Sequence, residues 1–193
     1  LLCDGAVATH AVDAEPALAD DLRTLHALRW PPLGQSIRSG TQTHGHLRDR
    51  GEASLQALFR RLDAAIADHL ARLPGSDPAH PLLRHIGRPV RIAAAWSIRM
   101  TGAGHHVSHV HPAGILSSAC HVAVPDTRDG NAGEGFLELG RPPRDIPLPL
   151  DPLAVVRPVP GRMVLFPSFL YHGTRPVRRG ERLTVAFDVA PAR

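Results

Sequence analysis

The sequence predicts a mainly β fold, a sandwich or jelly roll, with helices gathered towards its N-terminal end. Three observations carry this. From about residue 90 the chain breaks into short β-branched segments separated by Gly or Pro. Apolar residues at helical spacing are confined to the first third. No alternation of strand-like and helix-like segments is present, which argues against a parallel α/β sheet.

The first helix is expected to start near Pro16, after Asp13 and Glu15. Leu18, Leu22, Leu25 and Leu28 follow at spacings of four, three and three, and Pro31-Pro32 stops it. Residues 33–43 read as an extended piece. The second helix carries one apolar stripe, Leu55, Leu58, Phe59, Leu62, Ile66, Leu70 and Leu73, and Pro74-Gly75 ends it. Strands are expected at 90–100, 106–111, 115–124, 135–139, 153–157, 162–166 and 182–189. Gly102 and Gly104 read as a tight turn. The Pro-rich stretch 141–152 reads as a surface loop that serves as a lid or an edge cover. The expected organisation is a helical support region over 1–89 and a β core over 90–193, together one domain.

Composition narrows the function. A chain of 193 residues, 43% hydrophobic and 21% charged, is ordinary for a globular protein. No run of 18 apolar residues is present, so no helical membrane span is expected. The opening lacks the pattern of a signal peptide, and with Leu1 in place of an initiating Met an N-terminal part outside this sequence is expected. Two cysteines, Cys3 and Cys120, make no disulfide framework and fit a reducing, cytoplasmic setting. All 22 basic residues are arginine and the formal charge is +4, yet the arginines are scattered. The only adjacent pairs, Arg60-Arg61 and Arg178-Arg179, are not interleaved with aromatics, so nucleic acid is not an expected partner.

The 13 histidines are more informative, because four of them, His105, His106, His109 and His111, fall within seven residues. On an extended strand the i, i+2 spacing of His109 and His111 puts both imidazoles on one face. Two converging imidazoles begin a transition-metal site. His172, at the end of the apolar run MVLFPSFLY, is the best candidate for the third ligand. Ten residues later come Arg182 and Thr184, again i, i+2. A guanidinium fork matches a carboxylate bidentately and a hydroxyl adds a donor. The pattern points to a small dicarboxylate held between a metal and an anion clamp.

HVHPAGILSSACHVAVP (109–125), PGRMVLFPSFLYHGT (160–174) and ERLTVAFDVAP (181–191), in that order, resemble the iron(II)- and 2-oxoglutarate-dependent oxygenases. In particular they resemble the bacterial 2OG-Fe(II) oxygenases that are often fused to tetratricopeptide repeats. SIRSGTQT (36–43) and AWSIRM (95–100) extend the likeness from about residue 33 to the C-terminus. The resemblance implies a double-stranded β-helix, a jelly-roll barrel, with Fe(II), 2-oxoglutarate and O2 as cofactor and cosubstrates. It implies a hydroxylation of a peptide, a protein or a small metabolite. It assigns His109 and His172 to the metal, Arg182 to the distal carboxylate of 2-oxoglutarate and Thr184 to its support.

His111 departs from the implied pattern, because a carboxylate is the expected residue there. Either all three histidines bind iron, the favoured reading, or His111 stands behind the ligands, or Asp126, Glu134 or Glu138 completes the set. Cys120-His121 is a second departure. By strand parity His106 faces away from His109; with His121, Trp96 and Arg99 it makes a secondary set of pocket candidates. Trp96 is also a core candidate, and Arg99 could equally pair with an acid. Asp188 shares parity with Arg182 and Thr184 and reads as a strand end or an arginine partner.

Two other classes compete. A three-histidine zinc or cupin-type enzyme would need no dicarboxylate clamp, and residues 112–116 lack the glutamate a cupin uses. A non-catalytic binding barrel would lose nothing when His172 is changed.

Overall fold

The computed structural model describes residues 2–26, 34–125 and 133–192. The end expected for the first helix, Leu28 and Pro31-Pro32, and the candidate ligand Asp126 lie outside the described residues.

Among the described residues there are nine strands and two α-helices. They are β1 (Ala8–Ala11), α1 (Leu18–Leu25), β2 (Ile37–Gln42), α2 (Ala53–Arg72), β3 (Val90–His106), β4 (Leu116–Ala123), β5 (Leu137–Leu139), β6 (Ala154–Val156), β7 (Arg162–Pro167), β8 (His172–Thr174) and β9 (Arg182–Pro191). The strands form two antiparallel sheets, a six-stranded one in the order β1-β7-β4-β9-β3-β2 and a three-stranded one in the order β6-β5-β8. No helix among the described residues is long and apolar enough to cross a membrane.

The alternation along β9, Arg-Leu-Thr-Val-Ala-Phe-Asp-Val, sorts its side chains to two faces. Leu183, Val185, Phe187 and Val189 join Leu116, Cys120, Met163 and Leu165 on the outer face of the large sheet. Leu18 and Leu22 of α1 and the stripe Leu55, Leu58, Phe59, Leu62 and Ile66 of α2 pack against them and form the main core. On the inner face, Ala119, Val164 and Phe166 meet Leu137 and Leu139 of the small sheet. β7, with buried residues pointing both ways, is therefore the uninterrupted apolar run that a strand covered on both faces requires.

The expected turn at Gly102 and Gly104 is instead a distortion inside one long strand. Gly102 and Ala103 take positive φ, and the β2–β3 register shifts between Arg38 and Gly40. A Cβ on Gly104 would come within 2.5 Å of the Ser39 carbonyl oxygen, so the close approach of β2 requires glycine there. The kink carries β3 on to His106, one end of the inner face.

Candidate metal centre

His109 and His172 face each other across an isolated antiparallel bridge. Each backbone N–H donates to the other residue's carbonyl, at 3.1 and 2.9 Å. Two residues on, the His111 amide donates to the Ser168 carbonyl at 3.0 Å. The expected strand 106–111 is thus not a strand of its own. Its residues lie along the 168–174 segment, and that pairing still turns both HxH rings the same way. Ring centroids lie 4.2 Å apart for His109 and His172 and 5.0 Å apart for His111 and each of the other two. One nitrogen of each ring lies within 4.8 Å of the others.

The donor chemistry identifies that nitrogen. His109 Nδ1 donates to the Val107 carbonyl at 2.8 Å, and His172 Nδ1 to the Leu170 carbonyl at 3.0 Å. His111 Nδ1 lies 2.7 and 2.6 Å from the two Asp188 carboxylate oxygens. Carbonyl and carboxylate oxygens only accept, so each proton sits on Nδ1 and each lone pair on Nε2. Burial lowers the pKa of His109, and that of His172 to about 3, which keeps both imidazoles neutral near pH 7. Three imidazoles whose Nε2 atoms converge suit a first-row divalent ion such as Fe(II).

The same cavity, of roughly 600 Å³, holds the anion-binding candidates. Arg182 and Thr184 project into it from the inner face of β9, as their parity predicts. Arg182 is only 2% exposed, yet no carboxylate among the described residues pairs with it. Desolvation pulls its pKa down to about 10. Arg182 Nε, Thr184 Oγ1 and His106 Nε2 are buried polar atoms without a hydrogen-bond partner among the described residues. Of these, Arg182 Nε and Thr184 Oγ1 are donors, and a bound dicarboxylate would satisfy them.

The secondary candidates divide. His106 lines the cavity, its ring stacked 5.5 Å from that of His109. Parity failed here because the strand ends at His106 and the backbone turns before His109. Trp96 also lines the cavity and stacks on His111 at 5.6 Å. Arg99 does not line it; it pairs with Glu181 at 2.6 Å. His121 lies beneath, opposite Thr184 in the β4–β9 register, with both ring nitrogens unpartnered. Glu134 accepts from the Arg178 and Arg179 amides, and Glu138 pairs with Arg141 and Arg175, so neither reaches the histidines.

Asp188 is neither a strand end nor an arginine partner. β9 continues to Pro191, and the carboxylate is spent on His111. Ser36, whose Oγ lies 2.8 Å from His106 Nδ1 and 3.2 Å from His109 Nε2, is a site residue that no spacing signalled.

Residues 94–188 match the model of a protein family described as "Putative 2OG-Fe(II) oxygenase". No curated protein matches the sequence. Among solved structures, the chain is similar to a Pseudomonas putida prolyl-4-hydroxylase, with 16% identity, a TM-score of 0.62 and coverage of 97% of this chain and 94% of that one. It is similar to a viral collagen prolyl hydroxylase from Paramecium Bursaria Chlorella virus-1 in complex with 2OG, with 13% identity, a TM-score of 0.62 and full coverage of both chains. It also resembles HygX from Streptomyces hygroscopicus bound to nickel, 2-oxoglutarate and hygromycin B, with 15% identity, a TM-score of 0.57 and coverage of 97% and 83%. At these identities the likeness is one of fold, the double-stranded β-helix.

Proposed function

Residues 94–188 belong to the 2OG-Fe(II) oxygenase family, so the protein is an iron(II)- and 2-oxoglutarate-dependent oxygenase, and we propose how its own side chains divide the work. His109, His111 and His172 hold Fe(II) through Nε2. Arg182 takes the distal carboxylate of 2-oxoglutarate in its guanidinium fork, with the Thr184 hydroxyl beside it. His106 adds a further polar group to the same wall.

When bound between these residues, Fe(II) would supply the activation of O2, coupled to the conversion of 2-oxoglutarate to succinate and CO2 and the hydroxylation of the substrate. The protein contributes position. The backbone bridge between His109 and His172 fixes two ligands in register, and Trp96 and Asp188 fix the third. Ala119, Leu137 and Phe166 line part of the cavity with apolar surface.

The substrate is of the small-molecule or peptide kind. The names of the solved relatives, prolyl hydroxylases and a complex with hygromycin B, support that breadth.

The observation that carries this reading is the convergence, in one cavity, of three inward nitrogen lone pairs and a buried guanidinium without a carboxylate. Anaerobic addition of 2-oxoglutarate to the Fe(II)-loaded protein is expected to give the weak visible charge-transfer band of the chelate. Admission of O2 is then expected to give succinate. Absence of both the band and calorimetric binding overturns the assignment.

A further inference from the structure

We propose that Asp188 supplies, through His111, the negative charge that a ligand set of three neutral imidazoles lacks, and so acts as a positioning residue for the metal. The proposal rests on the oxygenase reading above and concerns the one ligand position where a carboxylate was expected.

Asp188 touches His111 Nδ1 with both carboxylate oxygens, at 2.7 and 2.6 Å, across 77 residues of chain. The Ser117 hydroxyl donates to Asp188 Oδ1 at 2.7 Å and stands 3.0 Å from the Ser168 hydroxyl. The Ser168 carbonyl in turn accepts the His111 amide. The carboxylate is therefore held from one side by a hydroxyl that also contacts the Ser168 side chain, and from the other by the ligand ring itself. Trp96 closes the face of that ring at 5.6 Å with an interplanar angle of 23°. Among the described residues no arginine pairs with Asp188, so its charge is not consumed elsewhere.

A divalent ion held by three neutral ligands in a partly dry cavity keeps its full charge. A carboxylate one hydrogen bond behind a ligand lowers that cost, fixes the tautomer and makes the Nε2 lone pair a stronger donor. The arrangement moves the expected anion from the ligand shell to the atom behind it.

The test is calorimetric titration of the metal-free protein with Co(II), together with the Co(II) visible absorption spectrum. Asp188→Asn keeps the size and can accept the His111 proton but removes the charge. It is expected to weaken Co(II) binding about ten- to a hundredfold and to shift the ligand-field bands. Asp188→Glu restores the charge and is expected to recover most of the lost Co(II) affinity and to return the bands towards those of the parent. If D188N binds Co(II) as the parent does, with the same bands, the proposal falls and the oxygenase reading stands. If Asp188→Glu recovers nothing over D188N, the effect is distortion rather than charge, and the proposal falls as well. If the parent itself binds no Co(II), both readings fall together.

Discussion

Arg182 is a long cationic side chain in the interior, 2% exposed, and among the described residues it has no carboxylate to offset its desolvation. Packing does not explain it, since an apolar chain of similar length would fill the space at lower cost. Arg182→Met is accordingly expected to raise the stability of the metal- and cosubstrate-free protein by about 1–3 kcal/mol. The same change is expected to remove the gain that 2-oxoglutarate gives the Mn(II)-loaded parent. That gain is about 2.7 kcal/mol at a hundredfold excess over Kd, or roughly 5–10 °C in Tm. Scanning calorimetry of both proteins with and without 2-oxoglutarate checks both halves, and an undiminished ligand shift in the variant would remove Arg182 from the cosubstrate site. At this scale the sequence was readable where period 2 governed. Arg182 and Thr184 project together because β9 is regular. The role of Asp188 shares that parity but depends on a partner 77 residues away, which no local pattern reveals.

Among the elements, α2 shows how a single stripe carries the support region. Leu62 is fully buried between the helix and the outer face of the large sheet. Leu62→Ala is expected to cost about 2–5 kcal/mol in urea unfolding. Below the unfolding transition the metal affinity should be unchanged, because the centre lies on the opposite face of the sheet. A parallel loss of Co(II) affinity would mean that the two faces are not independent. The stripe of α2 was legible because seven apolar residues repeat the helical period. β1 and β8 were not, since four residues, Ala-Thr-His-Ala, and three, His-Gly-Thr, carry no alternation long enough to register. The continuation of β3 through Gly102 and Gly104 was hidden for a different reason. Glycine marks a turn and a close backbone approach with the same letter, and only the facing strand distinguishes them.

Across the whole molecule, buried histidines set the response to acid. Burial lowers the pKa of His69 to about 4 and of His121 and His172 to about 3. In the unfolded chain each takes up its proton near pH 6.5. Between these limits the unfolded state binds more protons, so stability is full above pH 6.5 and is lost as pH falls towards 4. The loss approaches about 1.4 kcal/mol per group per pH unit, or ~4 kcal/mol per unit for the three together. Urea midpoints of the metal-free protein at pH 7 and pH 5.5 are expected to differ accordingly, and a flat profile would contradict the burial of these rings. The strand β9 contributes to both the main core and the cavity. Its odd-numbered side chains anchor the helices and its even-numbered ones serve the cavity. A pairing error of one position would thrust a guanidinium and a carboxylate into oil and leave valine and phenylalanine to greet the ion. Misaligned chains would thereby fail to fold before they could fail to catalyse, so the chemistry of the centre proofreads the assembly of the barrel.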